Sequence, residues 1–153
     1  MLGWGQASVL RRAIPGFRPR QWIAFTAGAA VFAYGLGLVP STFASSIETW
    51  PTAIVISAAL LLGGLLLASI GFAQWPVLRR HIAGATRWIA ASALAWAAAL
   101  LVFLGFAMPL WQPGQPLALI VGIGVVGGLL MAATSSAITG VALRRLLRGR
   151  PRA

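Results

Sequence analysis

The sequence predicts an all-α integral membrane protein. Its four transmembrane helices form two tandem antiparallel hairpins, a parallel repeat with both termini cytoplasmic (N-in/C-in). Three observations carry that reading. Hydrophobic residues make up 59% of the 153-residue chain and charged residues 8%, where a soluble domain needs roughly a quarter charged. Four apolar segments each reach the roughly 20 residues that a spanning helix needs. The charges are strongly one-sided. All twelve cations are arginine, the only acid is Glu48, and the formal net charge is +11. The mean hydropathy of +0.89 sets the chain apart from polar, nucleic-acid-binding proteins of similar charge.

The spans fall at about residues 22–40, 52–77, 88–108 and 117–143, and their apolar stretches hold no Asp, Glu, Lys, Arg or His. They define a transmembrane domain over 22–147, between a basic segment at 1–21 and a basic tail at 148–153. Within 1–21, residues 2–14 mix Trp4, Val9, Leu10 and Ile14 with Arg11 and Arg12. That pattern suits a short interfacial helix, which Pro15 and Pro19 then break. The first span with Thr42-Phe43-Ala44 before Ser45 also has the form of a signal peptide with a cleavage site. Its apolar run of about 18 residues is long for that role, where about 7–15 is usual.

Arginine placement sets the expected orientation. Four arginines precede the first span (Arg11, Arg12, Arg18, Arg20). Three lie in the second connection (Arg79, Arg80, Arg87) and five at the C-terminal end (Arg144, Arg145, Arg148, Arg150, Arg152). The first and third connections have none. The positive-inside rule then makes the arginine-bearing side cytoplasmic. Trp22, Trp75 and Trp88 are expected in an aromatic belt on that side, and Trp50 and Trp111 in a belt on the other.

The two halves echo each other. Trp22-Ile23-Ala24 matches Trp88-Ile89-Ala90, and Pro51-Thr52-Ala53 echoes Pro116-Leu117-Ala118. Gly63-Gly64-Leu65-Leu66 recurs as Gly127-Gly128-Leu129-Leu130, and Leu78-Arg79-Arg80 as Leu143-Arg144-Arg145. Each unit has an even number of spans, so the copies share an orientation. Pro40 and Pro109 are expected to close the odd spans. Pro51 and Pro116 are expected to open the even ones, where a first turn tolerates proline.

Lipid gives no hydrophobic drive between helices, so small residues mark close contacts. The expected packing stripes are Gly124, Gly128, Ala132, Ser136 and Gly140 in the fourth span, and Gly64, Ala68 and Gly71 in the second. Ala29, Ala33 and Gly37 in the first and Ala91, Ala95 and Ala99 in the third follow the same pattern. The fourth-span stripe serves either packing within the chain or contact with another subunit. Ser135, Ser136 and Thr139 are able to bond their own helix carbonyls.

The polar candidates are few. Gln74 is either functional or an interfacial side chain beside the aromatic belt. His81 is either a pH sensor or haem ligand, or simply solvated among headgroups. Glu48 is either a cation or proton entry point, or an acid at the start of the second span, stabilised by the helix dipole. Trp96 and Tyr34 either line a pigment, quinone or lipid cleft, or fill space between small residues. Arg79, Arg80, Arg144, Arg145 and Arg148 are expected to meet anionic headgroups. With no aromatic interleaving and no recognisable module, the basic tail gives no expectation of nucleic acid.

Composition excludes much chemistry. The chain has no cysteine, one histidine and one carboxylate. Common zinc, di-iron and paired-carboxylate sites therefore cannot be assembled within it, and no cofactor or catalytic residue is expected. The expected role is a structural or accessory subunit of a larger membrane complex, with membrane lipids, other subunits or itself as partners. The alternative is a small oligomeric transporter or channel for a neutral solute, since duplicated hairpins are common in transporters.

The run Gly71-Phe72-Ala73-Gln74-Trp75-Pro76-Val77-Leu78-Arg79-Arg80, followed by Trp88-Ile89-Ala90-Ala91-Ser92-Ala93, resembles a loose group of uncharacterised small bacterial four-span membrane proteins. They carry a G-x-x-Q-W-x-x-L-R pattern and an ending similar to Ile138-Thr139-Gly140-Val141-Ala142-Leu143. Pro76 departs from the apolar residue expected there. The resemblance covers roughly the second half of the chain. It implies a four-span architecture in a bacterial cytoplasmic membrane, and it supplies neither activity nor site residues.

Overall fold

The computed structural model describes the backbone of residues 2–148 and the side chains of residues 6–147. The described residues are all helical, with no strand: α1 (Leu2–Ala13), α2 (Pro19–Thr42), α3 (Ala44–Ile47), α4 (Thr52–Leu78), α5 (Arg87–Leu110) and α6 (Leu117–Arg148). The side chains of Trp4 and Arg148, together with Arg150 and Arg152, lie outside the described residues. Helices α2, α4, α5 and α6 are long and apolar enough to cross a membrane. At 27 residues, α4 is about 40 Å long, against a hydrocarbon core of about 30 Å.

The helices overrun the expected spans. Pro40 and Pro109, expected to close their spans, lie inside the last turns of α2 and α5, as Pro76 does in α4. A final turn tolerates proline when side chains help satisfy nearby carbonyls. The Ser41 and Thr42 hydroxyls both donate to the Leu38 carbonyl at 2.8 Å. The short α3 was not expected in the first connection. At the other end, Gly16 (φ +74°) and Gly84 (φ +72°) make the turns into α2 and α5, in a left-handed conformation that glycine adopts without strain.

The spans pack in chain order: α2 on α4, α4 on α5, and α5 on α6. Helix α1 packs on α2 and reaches α6. The hydrophobic core gathers Trp22 from the start of α2, Val77 and Leu78 from the end of α4, Trp88 from the start of α5 and Leu143 near the end of α6. These spans therefore alternate in direction, and their arginine-bearing ends come together. Helix α1 seals that end with Ala7, Leu10 and Ile14, spaced to share one helix face and all buried in the same core. The segment expected to lie in the interface is thus docked on the bundle. Elsewhere the spans show large apolar side chains outward, such as Val31, Leu60, Leu101 and Leu117. The accessible surface is 10235 Å², where a water-soluble monomer of this mass exposes about 7,400 Å². Long helices packed in a single row, with large apolar side chains on their outer faces, account for that excess.

Small residues mediate the close approaches, on the expected face of α5 and at Gly71 of α4 but not along the expected stripe of α6. On α5 the expected Ala95 and Ala99 are fully buried. On α4, Gly71 is essential to the fit, because a Cβ there would lie 2.9 Å from the Cα of Ile89. On α6 the expected stripe is not the packing face. Gly128, Ser136 and Gly140 are exposed, and a Cβ on Gly124, Gly128 or Gly140 would meet nothing within 4 Å. The face turned inward lies one position earlier along the helix: Ile123, Gly127, Ser135, Thr139 and Leu143. Both registers hold small residues at four-residue spacing. Only the inward one also carries Ile123 and Leu143 to bury. Gly64 likewise has open space beside it, and Ala68 is half-buried.

Gly71→Ala is expected to force α4 from α5 and cost about 1–3 kcal/mol, as overpacking does. Gly64→Ala should be neutral or slightly stabilising, because alanine loses less backbone entropy in a helix. Unfolding by sodium dodecyl sulfate in mixed micelles measures both, and equal midpoints would contradict the close contact at Gly71.

Candidate functional site

The polar groups of the helical bundle converge on Gln74. Gly71, Gln74 and Leu78 stand one turn apart on α4 and are buried together. The indole Nε1 of Trp88 donates to Gln74 Oε1 at 2.8 Å. An indole N–H only donates, so this contact fixes the amide orientation and turns Nε2 to the opposite side. There Nε2 donates to Thr26 Oγ1 at 2.9 Å and to Gln6 Oε1 at 3.4 Å. The amide of Gln6 in turn donates to Thr139 Oγ1 at 3.3 Å. The two threonines pass their own protons to carbonyls one turn back, Thr26 to Trp22 and Thr139 to Ser135, both at 2.7 Å. One connected network thus ties α1, α2, α4, α5 and α6.

Gln74 is 1% exposed, so the reading of it as an interfacial side chain is corrected. Trp22 and Trp88 are completely buried, not members of a lipid-facing belt. Their rings meet at 6.0 Å between centroids with a 55° tilt. They share one buried cluster with Leu10, Ile14, Phe17 and Leu78, where large rings bury the most apolar area. Trp75 is half-buried and holds the Arg79 guanidinium 4.6 Å above its ring, so it alone of the three stays near the surface. Trp50 and Trp111 remain exposed.

The other candidates are dispersed. Glu48 is exposed at the C-terminal cap of α3, before the turn to Pro51. It is not in the first turn of α4, which holds no acid, because α3 takes up the residues that would have brought it there. His81 is half-buried, its ring 6.4 Å from that of Phe17. It is therefore packed between the α1–α2 and α4–α5 connections rather than lying free in solvent. Arg79, Arg80, Arg144 and Arg145 are exposed around the core end.

Two recesses open on the bundle, and only the second touches the network. A cleft of about 440 Å³ runs between α2 and α6 over α4 and α5, and brings Tyr34 and Trp96 into one lining with Leu66 and Met131. Tyr34 is 71% exposed, so it borders this cleft rather than filling space between helices. A groove of about 510 Å³ lies between α1 and α6, with Gln6 and Val9 on one wall, Ser136 and Gly140 on the other, and Arg144 among its lining. Among the described residues no three His, Asp or Glu side chains come together as a metal site would require. The network is built of amides, hydroxyls and an indole, which do not titrate near neutral pH. Its chemistry is orientation and cohesion rather than proton transfer.

Comparison with protein-family models, with curated proteins and with solved structures yields no match. The site is therefore read from its own chemistry.

Sequence reasoning singled out Gln74 but missed its partners. Gln6 and Thr26 carry no pattern that separates them from other polar residues near a helix start. A visible signal was that Gln74 shares the buried face of α4 with Gly71 and Leu78.

Among the described residues three buried polar atoms have no partner: Trp22 Nε1, Ser135 Oγ and, at the far end of the bundle, Gln115 Oε1. The two core tryptophans should therefore respond unequally. Trp88→Phe strands Gln74 Oε1 and is expected to cost about 1–3 kcal/mol beyond the lost ring area. Trp22→Phe breaks no hydrogen bond and should show only the loss of area. Equal destabilisation in the same detergent titration would sink this assignment.

Proposed function

We propose that the chain is a multi-pass protein of a bacterial cytoplasmic membrane and a non-enzymatic structural or accessory subunit of a larger membrane complex. Its arginine-bearing end faces the cytoplasm, which places both ends of the chain there. The twelve-to-zero division of arginines between the two sets of connections supports that orientation through the positive-inside rule.

The bundle is read as two copies of one hairpin, α2–α4 and α5–α6. At offsets of 65 or 66 residues, Trp22 corresponds to Trp88, Thr26 to Ser92, Gln74 to Thr139 and Leu78 to Leu143. Seven of these eight are buried and Thr26 is half-buried. The correspondence also rationalises the orphaned indole of Trp22. Where Trp88 meets the long amide of Gln74, the equivalent of that amide is the short Thr139, whose hydroxyl accepts from Gln6 of α1 instead.

The observation that carries the subunit reading is the outer half of α6. Gly124 and Gly128 offer a face with nothing within 4 Å of an added Cβ. Glycine on a membrane helix permits close approach of another helix, and this chain does not supply one. Gln6, Thr26, Gln74, Trp88 and Thr139 spend their polar groups on one another, which leaves little for a catalytic or ion-conducting role.

A second reading rests on the Tyr34–Trp96 cleft, which suits an oligomeric carrier or channel for a neutral solute. Its mostly apolar lining makes it the weaker one. Solute flux no faster than in empty liposomes would remove it.

Mild detergent extraction of native membranes should yield the chain in an assembly larger than itself, with partners identified by mass spectrometry. Gly128→Leu should release those partners while leaving the chain's own unfolding midpoint unchanged. Migration alone in the wild type overturns the subunit reading. The absence of cysteine permits an independent test of orientation. Ser45→Cys should react with a membrane-impermeant maleimide added to intact cells, and Ala83→Cys should react only after lysis.

A further inference from the structure

The α1–α6 groove differs from the other recesses in its ends. Its floor is the inner half of the small-residue stripe, Ala132, Ser136 and Gly140, and Gln6 and Val9 of α1 form the facing wall. Arg144 adds a permanent positive charge to the lining. From Ser136 to Arg144 is about 12 Å along the helix. The groove therefore offers small, mostly apolar surface below, hydroxyl and amide groups at mid-height, and a guanidinium above. Its volume of about 510 Å³ lies in the range of small-molecule sites, about 300–1,000 Å³.

We propose that this groove binds one anionic phospholipid. The phosphate lies against Arg144, and an acyl chain lies along Gly140, Ser136 and Ala132. Charge decides the occupant. The only acid of the chain is Glu48, in the connection between α2 and α4, remote from the arginine-bearing end. A second copy packed side by side would bring only further arginines to Arg144, and like charges repel. An uncharged helix would bury a guanidinium with no counter-ion, which is costly. A lipid with an anionic head and an apolar tail satisfies both ends of the groove.

Arg145 provides an internal comparison. It lies on the other flank of α6, above a recess lined by Ala91, Leu94, Ala137 and Val141. That recess has the charge but no side-chain hydroxyl or amide, and α1 does not wall it. Arg145 is therefore a general headgroup contact, and the specific site belongs to Arg144. The proposal rests on the membrane-spanning reading and is independent of the subunit reading, because Gly124 and Gly128 lie beyond the groove.

The test uses the full chain in nanodiscs of mixed phosphatidylcholine and phosphatidylglycerol, released into mild detergent and weighed by native mass spectrometry. One phosphatidylglycerol per chain is expected to survive release. Arg144→Ala should reduce that retention by about fivefold, the effect of one arginine at an anionic surface. Arg145→Ala should leave it unchanged. Gly140→Leu should also displace the lipid by filling the groove, and the open space at Gly140 should keep its unfolding midpoint at the wild-type value. Three outcomes overturn the proposal: equal retention of phosphatidylcholine, equal losses in the Arg144 and Arg145 variants, or a lipid-free dimer that Gly140→Leu abolishes. A wild-type chain that leaves native membranes with the lipid retained but no protein partner counts against the subunit reading alone.

Discussion

The structure depends on satisfying one buried amide. Gln74 has an acceptor and two donors to place in surroundings without water, and each unmet group would cost about 1–3 kcal/mol. Trp88, Thr26 and Gln6 meet all three. Because these partners come from three other helices, the amide fixes helix positions that lipid-facing alanine and leucine leave undetermined. Individual hydrogen bonds between membrane helices average only about 0.6 kcal/mol. Their joint role is registry more than raw stability: a slide of any one helix by a turn would strand several groups at once.

This constraint explains the uneven build of the molecule. The buried core and the polar network share the arginine-bearing end, and α1 closes both with Leu10 and Gln6. The opposite half holds together by α5 presenting Ala99 and Ala107, and by Phe103 and Phe106 of α5 lying against the space beside Gly127. That half has an open cleft and an unpartnered glycine face. The two recesses and the exposed part of α6 follow from α2 and α6 not packing along each other.

The architecture was largely legible in the sequence. Apolar runs, proline positions and arginine placement report on the solvent each residue meets, and that solvent changes sharply at a membrane boundary. The helices were therefore found to within a few residues. Side-chain roles were far less legible. Trp22 and Trp88 have the spacing of belt residues because a span start is both a membrane interface and, here, the packed end of the bundle. On α6 the true packing face lies one position from the more regular stripe, and an Ala/Gly-rich helix offers several such stripes. Ile123 and Leu143, two large residues worth burying, distinguish the right one. Gln6 was unreadable because its partner Thr139 lies 133 residues away, and no local pattern encodes such a meeting.

That separation bears on how the protein is made. The Gln6–Thr139 contact joins the first described helix to the last. At synthesis rates of about 5–20 residues per second, Gln6 waits roughly 7–27 s after emerging before Thr139 exists to receive it. During that interval α1 has only the early helices to rest on. The groove wall it forms with α6 is absent, and the bundle lacks its final crosslink. Completion of the network thus marks the moment when α6 joins the earlier helices, and a product that stops before α6 would leave the Gln6 amide without its Thr139 acceptor.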